Sequence, residues 1–364
     1  MELKKVLLVT LEFPPYAGGV ANYLAGFISG ISANVHCLVD GVGDDAEGVT
    51  YRRLLSRFIW PRWLRGVFAI LSVIKKDGPF DVIVVSHVLP VGLMVRVASF
   101  FSKNVPRLVT ICHGLDITLS LKSRWKKMVT RRILVYSDLV VCNSEFTQGI
   151  LGKYGIPQEK SVVVYPSLVS LPENITYERG VPLMLLTIAR LIPRKGIDSV
   201  LLALPAVVKQ VPQVKYVIGG SGPDLLRLKK LAFSLGMDRY VWFAQEIDGT
   251  RKESLLNSAH VFVMPARTND VDVEGFGMVF LEAAAHGVPS VTSAEGGVME
   301  AVEHEHSGVH VDSTNIERLS HVLITLLEQQ EMRIAMGKYA RERVEQKFLP
   351  HQTAQPFNDY LNSW

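Results

Sequence analysis

The stretch EGFGMVFLEAAAHGVPSV, residues 274–291, reads as a turn, a helix and the beginning of a strand. Gly275 and Gly277 bracket the turn, Met278 to His286 is an apolar helical run, and the short strand Ser290 to Thr292 follows. A strand at His260–Met264 lies upstream. Such strand, helix, strand units recur outward in both directions. Val/Ile/Leu-rich runs at Val6–Thr10, Val82–Ser86, Leu108–Cys112, Leu139–Asn143 and Val162–Tyr165 alternate with longer helical patterns. The series restarts at Leu183–Ile188, Val214–Gly219 and Tyr240–Phe243. Short apolar strands separated by helices predict parallel sheets buried on both faces, so the expected class is α/β with two Rossmann-like, doubly wound domains facing across a cleft.

The segment from Pro166 to Pro182 is rich in Pro and polar residues and has little periodicity. It divides the chain into an N-terminal domain over 1–167, a linker over 168–182 and a C-terminal domain over 183–345, with a tail over 346–364 expected to return to the first domain. Charge divides at the same place. The chain carries +4 overall, but residues 1–167 carry a net +8 and the remainder −4. That balance excludes acidic-tail and histone-like proteins, and 48% hydrophobic residues exclude a disordered chain.

Cys37, Cys112 and Cys142 form no CxxC pair, which suggests a reducing compartment without disulfides. The opening MELKKVLLVTLEF reads as a first strand and not as a signal peptide. The most apolar long stretch, Val82 to Phe101, is interrupted by His87, Pro90 and Arg96, so no membrane span is expected.

The basic excess has two foci. Seven Lys or Arg and no acid fall between Arg52 and Lys76, among them Arg62 and Arg65, interleaved with Phe58, Trp60, Trp63 and Phe68. KSRWKKMVTRR, residues 122–132, repeats the mixture with Trp125, Lys126 and Lys127. Cations beside interfacial tryptophan suit a surface resting on anionic lipid headgroups. Two solvated helices packing their apolar sides on the sheet are the plainer alternative. No nucleic-acid motif accompanies the charge.

The residues suited to chemistry lie after the strands. The glycine-rich start of the helix at Met278 offers free backbone N–H groups to hydroxyls or phosphate oxygens, and Glu282 can bridge a vicinal diol such as a ribose. In ARLIPRKGID, Arg190 and Lys195 follow the strand Leu183–Ile188, where a doubly wound fold binds ligands and a diphosphate leaving group needs positive charge. Gly18 and Gly19 in FPPYAGGVANY permit close approach of a phosphate or sugar, and CHGLDI sets His113 and Asp116 just past another strand.

Three other motif matches fail on context. Asp270-Val271-Asp272 spells a metal-holding DxD but sits in a polar loop directly before Glu274. Gly41 to Ala46 fits a dinucleotide pattern with an acidic middle that opposes pyrophosphate. His304-Glu305-His306 has neither zinc spacing and reads as a surface turn.

Taken together, these motifs resemble the retaining glycosyltransferases of family GT4, with the two-Rossmann GT-B architecture, from Val6 to about Glu345. They are Gly18–Gly19, His113–Gly114, the RxxxxK pair Arg190 and Lys195, the Gly220–Pro223 turn, and Glu274 with Glu282. EFPPYAGGVANY, RLIPRKGIDSVLLALP and MPARTNDVDVEGFGMVFLEA are most similar to GDP-mannose-dependent phosphatidylinositol-mannoside mannosyltransferases. Two positions depart from the family pattern: Tyr165-Pro166-Ser167 replaces Pro-Asn-Gly, and Gln245 replaces a glycine.

The resemblance implies transfer of a hexose, mannose from GDP-mannose first, in α-linkage to a lipid-linked or membrane-surface glycan, with no metal or other cofactor. A UDP-glucose or UDP-N-acetylhexosamine donor in O-antigen, capsule or exopolysaccharide assembly is the second reading. A non-catalytic sugar-nucleotide-binding subunit is the third. It also implies catalytic positions at Arg190, Lys195, Glu274 and His113. Donor contacts would come from Gly18, Gly19, Gln245, Ile247, Gly275, Phe276, Gly277, Met278, Val279 and Glu282. Trp60, Arg62, Trp63, Arg65, Trp125, Lys126 and Lys127 would face acceptor or membrane, placing the protein in the cytoplasm at the inner membrane face.

Overall fold

The computed structural model describes residues 3–14, 18–43, 45, 48–56, 60–101, 106–245, 247–268 and 272–364. The chain divides into two compact units, Met1–Val169 with Leu349–Trp364, and Ser170–Phe348. No helix or strand interrupts the chain between Val163 and Leu183.

The first unit holds seven strands: β1 (Lys5–Thr10), β2 (Asn34–Asp40), β3 (Val49–Arg52), β4 (Val82–Ser86), β5 (Arg107–Cys112), β6 (Leu139–Cys142) and β7 (Ser161–Val163). Every pairing is parallel, in the order β3-β2-β1-β4-β5-β6-β7. The sheet reverses direction between β1 and β4, the switch point at which such folds bind ligands. Alternation along β1 shows why both faces are covered. Val6 and Leu8 join Tyr23, Leu24 and Phe27 of the helix Gly19–Gly30, while Leu7 and Val9 join Ile70 of the helix Leu64–Asp77 and Met94.

The C-terminal helices Pro350–Thr353 and Gln355–Ser363 complete the first of these clusters with Ala354, Phe357 and Leu361. Phe357 lies 5.0 Å from Phe27, centroid to centroid. Asn358 donates to the Gly30 carbonyl at 3.0 Å and accepts from the Ser32 amide at 2.9 Å. Gly30 must lack a side chain there, since a Cβ would stand 2.0 Å from the Pro350 carbonyl oxygen.

The second unit holds β8 (Leu183–Ile188), β9 (Val214–Gly219), β10 (Val241–Gln245), β11 (Val261–Met264), β12 (Ser290–Thr292) and β13 (Gly308–His310). They are again all parallel, in the order β10-β9-β8-β11-β12-β13, with the reversal between β8 and β11. Leu185, Val263 and Val291 pack against the helices Ile197–Gln210 and Ile316–Glu328. On the opposite face Phe262 meets Phe280 of the helix Met278–Ala285 edge-on at 5.5 Å.

Among the described residues no helix is long and apolar enough to cross a membrane. The acidic Gly41–Ala46 segment, of which Asp44 and Ala46 lie outside the described residues, is followed by a strand.

Candidate active site

Because all strands of a unit are parallel, the loops leaving them gather at one edge of each sheet. In the second unit these are the loops after β8, β9, β10, β11 and β12. Glycines let them pack tightly. A Cβ on Gly196 (φ +68°) would lie 2.0 Å from the Pro265 carbonyl oxygen, and one on Gly297 would lie 1.9 Å from that of Gly275. The Gly297 amide instead donates to the Glu274 carbonyl at 3.0 Å, holding the Glu274 loop against the turn after β12.

A compact charged cluster forms on this frame. The 3₁₀ turn Pro193–Lys195 directs Arg194 and Lys195 at one carboxylate. Lys195 Nζ donates to Glu274 Oε2 at 2.7 Å and Arg194 donates to the same oxygen, while Arg194 Nε pairs with Asp272 at 2.7 Å. Burial pushes the Glu274 carboxyl up, but the two cations outweigh it and hold the pKa at about 2. Glu274 is therefore an ionised acceptor at neutral pH, unable to donate a proton. Glu282, one turn into the helix Met278–Ala285, is anchored by Lys252 Nζ at 2.5 Å. Arg190 is exposed and makes no ion pair among the described residues, so its cation stands open at the same edge.

Around this cluster the expected donor positions lie on consecutive loops. Gly277 takes φ +90° at the start of the helix Met278–Ala285, Met278 and Val279 are half-buried, and Phe276 is buried against Phe348. Gly275 stands against Gly297. Gln245, the residue that replaces a glycine, adopts φ +47° and accepts from the Gly220 amide at 2.8 Å. The position thus keeps the left-handed backbone that favours glycine. Ile247 fills the space above Gly219, where a Cβ would come 1.9 Å from its Cδ1.

The first unit brings a second group to its own carboxyl edge. His113 shares a hydrogen bond with Ser86 Oγ through Nε2 at 3.1 Å, meets Tyr23 edge-on at 5.2 Å and lies 5.1 Å from the His87 ring. Burial, with a lesser push from His87, drives its pKa well below the usual histidine value, so the ring is neutral at pH 7. Its amide donates to Asp116 Oδ1 at 3.0 Å. Among the described residues, a Cβ on Gly19 would meet nothing within 4 Å, and one on Gly18 only Glu12 at 3.4 Å.

Two matched family models decide what this arrangement belongs to. The model described as Glycosyltransferase Family 4 matches residues 17–168, and that described as Glycosyl transferases group 1 matches residues 176–343. The chain is a family 4 glycosyltransferase.

The transferase is 28% identical over 383 residues to the GDP-mannose-dependent alpha-(1-6)-phosphatidylinositol monomannoside mannosyltransferase of Mycobacterium tuberculosis, covering 99% of this chain and 98% of that protein. It is 26% identical over 286 residues to the amylovoran biosynthesis glycosyltransferase AmsK of Erwinia amylovora, covering 78% and 70%. Its fold matches Anabaena Alr3699/HepE, solved in complex with UDP, with a TM-score of 0.76 at 20% identity over 99% of this chain and 100% of that one. Both units thus have the Rossmann-like design of the GT-B glycosyltransferases.

Several members of the transferase's cluster are absent from the motif reading. Arg194 sits between the two cations of RxxxxK, and the sequence alone does not show that a 3₁₀ turn aims it with Lys195. Lys252 lies in a polar helix with no motif. Gly296–Gly297, just after a strand, carried a readable signal as a second glycine turn on the same edge. Of the DxD string, Asp270 and Val271 lie outside the described residues, and Asp272 is committed to Arg194.

The basic aromatic positions are not equivalent. Trp60 is 90% exposed and Trp125 60% exposed, with Arg62, Arg65, Lys126 and Lys127 also exposed. Trp63 is half-buried against the core cluster of Val67 and Ile70. The plainer expectation, a helix packing its apolar side on the sheet, therefore describes Trp63.

Proposed function

We propose that this transferase moves mannose from GDP-mannose, with retention, to a lipid-linked or membrane-surface glycan. The reading is carried by the similarity to a GDP-mannose-dependent mannosyltransferase over nearly the full length of both chains. In this reading Lys195 and the open Arg190 neutralise the diphosphate. The glycosidic C1–O bond breaks, its electron pair leaves on the phosphate oxygen, and the acceptor oxygen bonds to C1 from the same face while its proton passes to that phosphate oxygen. No protein nucleophile is needed. One well-placed donor to a leaving group is worth about 3 kcal/mol.

Glu274, held ionised, accepts hydrogen bonds from the sugar hydroxyls, and Glu282 accepts from the ribose. Gly275 to Val279 approach the sugar, Gln245 and Ile247 the base, and Gly18, Gly19 and neutral His113 the phosphate and sugar from the first unit. Exposed Trp60 and Trp125 with their neighbouring cations suit attachment at the inner face of a membrane.

A UDP-sugar donor in exopolysaccharide assembly is the second reading, favoured by the similarity to the amylovoran enzyme. Calorimetric titration of the purified chain with GDP, GDP-mannose, UDP, UDP-glucose and UDP-N-acetylglucosamine, without added metal, separates the two. Selective binding of GDP and GDP-mannose supports the first reading, and selective binding of the uridine compounds replaces it with the second.

A further inference from the structure

The carboxyl edge of the first sheet carries a cavity outside the donor-site motifs, and two of its arginines, Arg62 and Arg65, belong to the basic stretch expected at acceptor or membrane. It has a volume of about 380 Å³ and lies past the ends of β2 and β3, lined by Asp40, Arg53, Ser56, Arg62 and Arg65 among others. Its walls are tied by backbone. The Gly41 amide donates to the Arg52 carbonyl at 3.1 Å, and the Ser56 amide to the Arg62 carbonyl at 2.8 Å.

The charge in this cavity is unbalanced. Arg52 next door is neutralised by Asp45 at 2.9 Å. The guanidinium groups of Arg53, Arg62 and Arg65, by contrast, make no ion pair or hydrogen bond among the described residues. Asp40, the one carboxylate among the described residues of the lining, has its Oδ1 engaged by the Leu54 amide at 2.5 Å and the Leu55 amide at 3.4 Å, so it is turned to the loop backbone. Three guanidinium groups around one concavity repel each other unless an anion joins them, and their planar forks match phosphate oxygens two at a time.

The geometry points to a phosphate-binding subsite here, taking a phosphoester group of the sugar acceptor. β2 stands one strand from β1, so the cavity lies two strand spacings, about 10 Å, from the β1–β4 switch point on the same edge. That separation suits an acceptor that holds its phosphate in the cavity and presents a hydroxyl one or two sugar rings away. The assignment deepens the proposed transfer and rests on the first unit holding the acceptor. The phosphoester can belong to a lipid headgroup or to a soluble sugar or polyol phosphate.

The test uses the full chain with two paired variants, R53Q/R65Q and R53K/R65K. Probes are glycerophosphoinositol as a soluble diester, glycerol 3-phosphate as a soluble monoester, and phosphatidylcholine vesicles containing phosphatidylinositol. Saturable binding of a soluble phosphoester to the wild type, weakened at least about tenfold in R53Q/R65Q, is the expected result. Loss of the diester and of vesicle attachment together assigns a lipid headgroup, and loss of the monoester alone assigns a soluble phosphate.

The lysine pair keeps the charge but not the fork. It should restore vesicle attachment more than saturable headgroup binding, and equal recovery of both would overturn the cavity in favour of diffuse attraction. Unchanged phosphoester binding in R53Q/R65Q would also overturn it. GDP binding, measured in parallel, separates the two proposals: a wild type that binds the phosphoester but no nucleotide keeps the cavity and removes the transfer reading.

Discussion

Lys195 and Glu274 are 79 residues apart in the chain, and their side chains meet at 2.7 Å. The contact joins the loop after β8 to the loop after β11 across the point where strand order reverses. A cation proposed for the leaving group and a carboxylate proposed for the sugar therefore fix each other's position.

Lys195→Ala should lower turnover by about two to three orders of magnitude with the fold retained, since one leaving-group donor is lost. Steady-state kinetics beside circular dichroism checks this, and near-wild-type turnover would remove Lys195 from the mechanism. The pair also sets a pH dependence. Glu274 titrates at about 2 when folded against an ordinary 4.5, so its contribution to stability is present above pH 4.5 and is lost as pH falls toward 2. In Arg194→Ala with Lys195→Ala only burial remains, the carboxyl moves up, and the sign inverts: that variant should lose stability as pH rises through the carboxylate range. Melting temperatures between pH 3 and 7 distinguish the two slopes.

Glu282→Gln should weaken GDP binding about tenfold, the cost of one charged hydrogen-bond partner. Lys252→Ala should produce a smaller loss, because it releases the 2.5 Å anchor that positions the carboxylate without removing it. Calorimetry on both variants decides the order, and undiminished affinity in Glu282→Gln would take Glu282 out of the donor site.

Glycine replacements should separate packing from ligand approach. Gly297→Ala forces a Cβ to within 1.9 Å of a carbonyl oxygen and should cost about 1–3 kcal/mol of stability along with activity. Gly19→Ala meets nothing within 4 Å among the described residues, so its melting temperature should hold while turnover falls. Full activity in Gly19→Ala would place the substrate elsewhere.

Trp60→Ala and Trp63→Ala should fail in different assays. Trp60 is 90% exposed, so its loss should reduce co-sedimentation with anionic vesicles and leave thermal stability unchanged. Half-buried Trp63 packs on the core, and its removal should cost about 2 kcal/mol. A stability loss in Trp60→Ala without a vesicle effect would reverse the assignment.

The central strands were legible because they are buried on both faces and must be continuous Val, Ile and Leu, as in VIVVS of β4 and LMLLTI of β8. β2, β3 and β13 do not appear in the strand expectations. β3 and β13 are edge strands of four and three residues, and β2 begins with the polar Asn34 and contains His36, so their apolar signal is short or broken. In the site, residues held by local backbone rules were readable: a glycine at a helix start, a cation after a strand. The partners of those residues were not. That Asp272 and Arg194 meet, or Lys252 and Glu282, depends on how separate loops converge at a sheet edge, which no local pattern encodes. Gln245 shows the converse, since its left-handed backbone is set by the Gly220 contact in place of the residue type.

The last sixteen residues belong to the first unit, while the preceding 179 belong to the second. During synthesis the N-terminal sheet must wait for the whole second unit to emerge before Phe357 and Leu361 arrive to close the cluster around Tyr23 and Phe27. The second unit, encoded in one uninterrupted segment, is free to finish first. A nascent chain stalled or clipped before Pro350 would therefore carry a finished second unit and a first unit with an exposed apolar face, the form that chaperones retain and proteases remove.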